Sequence, residues 1–503
     1  MAPTHEFDPP EGSLRRSVGR GAVATALSQA AQVATQIASV LILSRLLAPG
    51  DFGLVAMIAP VVGLLGMLQD FGLVQATVQK PGLRREEVNF LFWVNVAASA
   101  GMALVLVAIS PLVAAFYGEP RVGPLTAAMA LPMILSALGA QHLALLNRRM
   151  EFGRLAFVTV AGAVGTLAAS IAWALASPSY WALFAGNMAG ASLSTALAWA
   201  FSRWRPGLPR GAEGGRGLLG FGAGITGFNF ANFFARNLDN VLIGRVWGEA
   251  QLGFYDRAYK LLLFPLSQIA NPLARVMIPA LSRMAEEPGR YRHAYLRVLN
   301  LSLLVSLPGV AFATGMADVL IPFMLGEQWR PSAPIFMALG FAGLLQPLNN
   351  PVGWLYISQG RSTDMMLWGV ASAIFTVAAF VAGLPWGALG VAVAYAISEA
   401  LKTPALWLAA GRKGPVRAVD VARTCGPAVV AAFLALLVVV LAHDRLAAEG
   451  VMGLVVAALL SYVAFAFALL PFAPGRATLR EAADLLMQPA AALRRRQASG
   501  RLP

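Results

Sequence analysis

Between positions 229 and 275 the chain places Arg236, Asp239, Asp256, Arg257, Lys260 and Arg275 within two long apolar runs. An ionisable group at membrane depth costs roughly 2.5–3.5 kcal/mol even on insertion scales, so such groups face a protein interior or a watery cavity. Arg236 and Asp239 are three residues apart and Asp256 and Lys260 four apart, spacings at which opposite charges pair along a helix. Two such ion pairs, easing one another's burial, are the plainer reading. They leave Arg257 and Arg275 as surplus positive charge. A guanidinium presents a planar fork matched to phosphate oxygens, so the chemistry suited to this set is capture of a phosphate- or pyrophosphate-bearing solute.

The elements that must hold these residues are membrane helices. The chain of 503 residues is 58% hydrophobic and 12% charged, with a mean hydropathy of +0.67, whereas a soluble domain carries about 25% charged residues. Continuous apolar runs of about 20 residues between short basic loops predict an all-α integral membrane protein and exclude a β-barrel, whose strands would alternate. About fourteen transmembrane helices are predicted. The first six are 21–46, 51–79, 88–116, 122–146, 155–176 and 180–201. The next six are 217–245, 250–282, 298–325, 332–358, 365–382 and 386–410, and a last pair is 424–442 and 451–472.

Loop charge supports the count. Arg15, Arg16, Arg20, Lys80, Arg84, Arg85, Arg148, Arg149 and Arg154 fall in alternate loops, as do Arg203, Arg205, Arg210, Arg216 and the cations that follow spans 8, 10 and 12. The intervening loops hold one basic residue each at most: Arg45, Arg121, Arg245, Arg330 and Arg445. That asymmetry predicts both termini in the cytoplasm. It also accounts for the net charge of +14 without nucleic acid.

The predicted organisation is a cytoplasmic N-terminal tail (1–13), an N-lobe (14–205), a cytoplasmic linker (206–216), a C-lobe (217–412), an extra span pair (413–475) and a cytoplasmic amphipathic tail (476–503). The lobes are repeats. At a shift of 200 residues Arg45-Leu46 meets Arg245-Val246, and Phe52-Gly53-Leu54 meets Leu252-Gly253-Phe254. Gln29, Gln32, Gln36 and Ser39 fall on Asn229, Asn232, Arg236 and Asp239, so each first helix carries one narrow polar stripe. Tyr117-Gly118-Glu119 and Leu325-Gly326-Glu327 close the third helix of each lobe. Two pseudo-symmetric six-helix lobes imply a pseudo-twofold axis along the membrane normal, and transporters commonly bind solute at a repeat interface. The second lobe is the charged one. Met57 and Pro60 of the first become Arg257 and Lys260, and Lys260, Ser267, Asn271 and Arg275 continue along one side of span 8.

Other signals carry plainer readings. Asp70 is the candidate for a coupling carboxylate, against a simple helix-end contact. Asp318 and Glu399 are read as lying near span ends and reaching the interface. Small-residue stripes in spans 1, 5 and 12 predict close helix packing. The lone Cys425 allows no internal disulfide, and His5, His142, His293 and His443 show no ligand spacing, so no metal or cofactor is expected. A nucleotide-binding loop and a Ser/His/Asp set are both lacking, so an enzyme is not expected.

Several stretches resemble the polysaccharide transporter family, whose members of this kind are Wzx-type flippases within the multidrug/oligosaccharidyl-lipid/polysaccharide exporter superfamily. They are Leu43-Ser44-Arg45-Leu46-Leu47-Ala48-Pro49-Gly50-Asp51-Phe52-Gly53, Asp70-Phe71-Gly72-Leu73, Arg236-Asn237-Leu238-Asp239-Asn240, Tyr255-Asp256-Arg257-Ala258-Tyr259 and Pro279-Ala280-Leu281-Ser282-Arg283. The resemblance covers about residues 14–410. It implies a MATE-like, V-shaped bundle with alternating access through a cationic central cavity. The implied substrate is a polyprenyl-pyrophosphate-linked oligosaccharide moved from the cytoplasmic to the periplasmic leaflet of a bacterial inner membrane. By the same analogy Arg236, Arg257, Lys260 and Arg275 contact pyrophosphate or sugar. Membrane lipids and a glycan polymerase or export machinery are the expected partners. A cation-coupled multidrug exporter, a non-transporting scaffold for a glycan polymerase and a peptidoglycan-precursor flippase stay open as alternatives.

Overall fold

A computed structural model describes the backbone of residues 14–70, 73–80, 82–208 and 216–498. Side chains in 14–20, 69–70, 216–236 and 488–498, with a few others, are outside the description. Among the described residues the chain is helical throughout, with no strand.

The chain divides into two compact units, Met1–Gly253 and Phe254–Pro503. The first contains α1 (Leu14–Leu46), α2 (Pro49–Asp70), α3 (Leu73–Gln79), α4 (Arg85–Tyr117), α5 (Val122–Ala128), α6 (Ala130–Arg148), α7 (Phe152–Ala176) and α8 (Trp181–Ser202). It also takes the first part of α9 (Arg216–Arg283), a 68-residue run broken at Gly248, where φ is 81°. The second holds the rest of α9, then α10 (Pro288–Gly315), α11 (Ala317–Leu325), α12 (Ser332–Asn349), α13 (Val352–Ser358), α14 (Ser362–Gly383) and α15 (Gly387–Gly411). It ends with α16 (Ala418–Leu441), α17 (His443–Ala448), α18 (Gly450–Leu469) and α19 (Ala473–Ala498).

Local chemistry sets several of these boundaries. Three helices start with an acid whose carboxylate accepts from the backbone amide three residues earlier: Asp51 from Ala48, Glu87 from Arg84 and Asp420 from Arg417. Each satisfies an amide with no intrahelical partner and places negative charge at the positive end of the helix dipole. Gly118 and Gly326, paired in the repeat, both turn to positive φ (70° and 108°) where α4 and α11 end.

Ten stretches among the described residues are long and apolar enough to cross a membrane. Three of them, Val122–Arg148, Asn237–Arg283 and Ser362–Gly411, contain a break, at Met129, at Gly248 and at the 3-10 turn Leu384–Trp386. The predicted spans 180–201 and 332–358 are not among the ten. The second of these is interrupted at Asn350-Pro351 between α12 and α13, as span 4 is at Met129 and span 9 at Met316.

Lipid offers no hydrophobic force to bring helices together, so small side chains and interhelical hydrogen bonds do so. On α7 and α8 a Cβ at Gly186 would sit 1.9 Å from Ser170 Oγ, and one at Gly190 1.9 Å from Thr166 Oγ1. In the second unit α16 and α18 pack on α10 and α11 through Met316, Val439, Leu446, Leu454 and Ala457. Ser461 donates to the Pro308 carbonyl at 2.7 Å and Tyr462 to the Val305 carbonyl at 2.9 Å, tying α18 to α10. The amphipathic α19 docks on α10 through the Arg297–Glu481 ion pair and a 2.6 Å hydrogen bond from Asn300 to Thr478.

Candidate functional site

Past Gly253, α9 has two distinct faces. Tyr255, Ala258, Leu262, Leu266, Met277 and Leu281 are buried and form the face turned to the core of the second unit. Asp256, Lys260, Ser267, Asn271 and Arg275 fall, at 100° per residue, within an arc of about 100° on the other side. The predicted alignment along one side of span 8 is therefore present. From Asp256 to Arg275 the stripe runs about 28 Å along the helix axis, close to the ~30 Å of a bilayer's hydrocarbon core.

The charge on this stripe is mostly positive. Lys260 Nζ lies 2.8 Å from Asp256 Oδ2, the i,i+4 pair read from the sequence. The pair is lopsided: Asp256 is 5% exposed and Lys260 60%, so the acid is sunk beneath its cation. Arg257 is half-buried at the edge of the stripe, and Asn271 and Arg275 are exposed. Ser267 donates to Phe264 O at 2.8 Å, which keeps its hydroxyl on the helix. With Asp256 neutralised, the exposed Arg275 supplies the net charge. Pro265 and Pro272 flank the stripe and are exposed.

The remaining predicted residues separate by position. On α1, Gln29 and Gln36 are exposed, while Gln32 is half-buried and donates to Ser28 O (3.3 Å) and Oγ (3.1 Å). Asp239 is 3% exposed, and its carboxylate accepts from Asn240 N at 2.8 Å. The side chains of Asp70, Asn229, Asn232 and Arg236 are outside the described residues, and so is the Arg236–Asp239 pair.

Two placements correct the sequence reading. Glu399 does not reach an interface. It sits at the midpoint of α15, 2.5 Å from Lys402, which also lies within that helix rather than in a cytoplasmic loop. An i,i+3 acid–base pair inside an apolar run is the signal that would have found it. Arg148, read only as a topology marker, is 9% exposed and donates to Thr77 O (2.9 Å) and Lys80 O (2.7 Å), tying α6 to α3. Among the described residues no three metal-ligating side chains come together.

A multi-pass helical membrane protein with a polar, cationic helix face is the class these features define. Residues 42–334 match the model of the family described as polysaccharide biosynthesis protein. That is more than half of the chain, and the chain belongs to this family. It is similar to the lipopolysaccharide biosynthesis protein WzxC of Escherichia coli (strain K12), 24% identical over 398 residues, covering 78% of this chain and 80% of the relative. It is also similar to the succinoglycan biosynthesis transport protein ExoT of Rhizobium meliloti (strain 1021), 26% identical over 376 residues, covering 74% and 76%. Among solved structures, the lipid II flippase MurJ in an inward closed conformation superposes with a TM-score of 0.68 at 11% identity, over 88% of this chain and 97% of that one. An inward-facing multidrug resistance MATE family transporter of the MOP superfamily gives 0.58 at 13% identity, over 75% and 93%. The fold is thus the MATE-like bundle that the sequence resemblance implied.

Proposed function

We propose that this protein is a flippase that moves a polyprenyl-pyrophosphate-linked oligosaccharide from the cytoplasmic to the periplasmic leaflet of a bacterial inner membrane. The observation that carries this reading is the cationic stripe on α9. It is the length of a hydrocarbon core, stands off the core of its own unit, and is lined with forks and amides suited to pyrophosphate and sugar oxygens. Family membership and the likeness to a transport protein of succinoglycan biosynthesis support a glycan-bearing substrate. The loop-charge asymmetry supports cytoplasmic termini.

The step is transport without covalent chemistry. The repeat-built halves expose the site to one leaflet and then the other, and the bound headgroup shifts the populations of the two states. Arg236 is the candidate anion-binding residue of the first half in this reading. A cation-coupled drug exporter would need a carboxylate-dominated site, which the sign of the α9 stripe opposes. A glycan polymerase is the expected partner downstream.

The test is export of polymer in cells and flipping of a fluorescent polyprenyl-pyrophosphate-linked oligosaccharide by the purified protein in vesicles. Arg257→Ala and Arg236→Ala should abolish both while protein levels stay near normal. Normal export by both variants would remove the anion site and favour a scaffolding role.

A further inference from the structure

An ion pair is buried inside the second unit, away from the stripe. Lys402 Nζ donates to Glu399 Oε1 at 2.5 Å, to Thr376 Oγ1 at 2.6 Å and to Ser372 Oγ at 3.3 Å, the last two on α14. The side chains of Lys402 and Glu399 are 11% and 14% exposed. Thr403 donates to the Glu399 carbonyl at 2.8 Å and accepts from Asn349 of α12 at 2.7 Å.

The surroundings isolate this pair. α12, which packs along α15, has no ionisable side chain, nor does the 3-10 turn Leu384–Trp386. α14 contributes Asp364, held in its first turn by Arg361 and Lys413. α13 contributes Tyr356, which lies against Arg361. α16 contributes Asp420, paired with Arg292, together with Arg423 and Cys425 in its first turns. On α15 itself the remaining titratable group is Tyr395, one turn before Glu399. Tyr395 accepts from Gln346 at 3.2 Å and meets the ring of Tyr259 at 6.3 Å, and Tyr259 adjoins Lys260 of the stripe. An aromatic contact thus joins the helix that carries the stripe to the turn of α15 that precedes Glu399.

We propose that Glu399 and Lys402 form the proton-coupling site of this protein. The three oxygens around Lys402 would otherwise suit a monovalent cation, but the ammonium already occupies them, so the species left to exchange is the proton on Glu399. As carboxylate and ammonium the two groups are jointly neutral and hold α14 against α15. When a proton from water adds to the Glu399 carboxylate, the ammonium loses its counter-charge in a low-dielectric span, and the cage is no longer favourable. Proton occupancy thereby selects between a closed and an opened arrangement of the α14–α15 hairpin. Coupling to flipping rests on the function proposed above; titration of the pair does not.

Two measurements test this on the full-length protein in lipid vesicles. In pH-induced infrared difference spectra, the wild type should show a protonated-carboxyl band that is absent in the isosteric Glu399→Gln and shifted in Lys402→Met. A band unchanged in Glu399→Gln, or missing from the wild type, overturns the proposal. With the fluorescent lipid-linked oligosaccharide, a one-unit pH gradient should shift the wild-type leaflet distribution about tenfold per coupled proton, and Glu399→Gln should not respond. A gradient response retained in Glu399→Gln, or wild-type flipping indifferent to the gradient, also overturns it. If the wild type shows the infrared band but flips nothing, the flippase reading fails while the titrating pair stands.

Discussion

Gly53 and Gly253, 200 positions apart, each lie against the backbone that precedes the other. A Cβ on Gly53 would fall 1.7 Å from Glu249 O, and one on Gly253 2.0 Å from Pro49 O. Pro49 and Glu249 are also 200 positions apart, so the contact is reciprocal, as a local twofold relation between the two segments requires. Arg121 steadies the same corner through Glu119 (2.7 Å) and Glu249 (2.9 Å).

Because the obstructing atoms are backbone, neither glycine can accept even a methyl group without moving its helix. Gly53→Ala and Gly253→Ala should each destabilise by at least the ~1–3 kcal/mol typical of overpacking. Gly66→Ala is the control, since nothing lies within 4 Å of its would-be Cβ. Thermal unfolding of the purified variants checks this. A Gly53→Ala protein as stable as Gly66→Ala would contradict the crossing.

The Asp256–Lys260 pair sets an order among the stripe mutants. Arg275 is exposed and not offset by the pair, so Arg275→Ala should weaken binding of a pyrophosphate lipid by roughly 10- to 100-fold, the worth of one or two charge-assisted hydrogen bonds. Lys260→Ala should cost less, because it also unmasks the Asp256 carboxylate only in part, the acid being 5% exposed. Asp256→Asn should tighten binding by releasing the Lys260 charge. Titration with a fluorescent pyrophosphate lipid ranks the three, and weaker binding by Asp256→Asn would refute this account of the stripe.

Much of this was legible in the sequence, and the gaps have physical causes. Hydropathy showed the helical class, and the glycine pairs Gly53/Gly253 and Gly118/Gly326 showed the repeat, because close approach and positive φ leave few other residues open. The charged side of α9 followed from helical spacing alone. The break inside span 10 was missed because the apolar pattern runs on through Pro351, the residue that caps the start of α13. Glu399 was misplaced for a different reason. An acid beside a base looks like a loop feature in one dimension, and only the hydroxyls of Ser372 and Thr376, some 25 residues away, make its burial affordable.

His443 links α17 to the start of α11. Its Nε2 lies 2.9 and 3.0 Å from the two Asp318 oxygens, and its Nδ1 faces Asp444 at 3.3 Å, with Arg445 and Glu449 nearby in sequence. Hydrogen bonding to Asp318 holds the imidazolium pKa above its usual value of 6.5. A raised folded-state pKa means that the stabilisation is complete below the unfolded value and is lost as pH rises through the folded one. With side chains 26% and 44% exposed, the pair is worth less than about 1 kcal/mol. His443→Phe should therefore unfold earlier than the wild type at about pH 5.5 and match it at about pH 9. A gap that widened with pH would reverse the assignment.

The segment after α8 should resist proteolysis although it leads into the predicted linker. Trp204 is 2% exposed and packs with Leu83, Val88, Phe92 and Leu145, its ring 5.7 Å from Phe92 and 5.0 Å from His142. Trp93 donates to Gly207 O at 2.8 Å, Asn89 accepts from Gly207 N at 3.1 Å, and Arg149 donates to Ser202 O at 2.8 Å. Arg203 and Arg205 are exposed, yet the backbone between them is pinned by Trp204. Trypsin requires an extended, detached backbone, so cleavage at either arginine should be slow in the native protein and report local opening. Trp204→Ala removes roughly 3–5 kcal/mol of packing and should accelerate cleavage there by orders of magnitude. Asn89→Ala, which leaves the aromatic contacts intact, should fall between the two. Rapid cutting at Arg203 in the wild type, mapped by mass spectrometry of the fragments, would show that the linker detaches at Ser202.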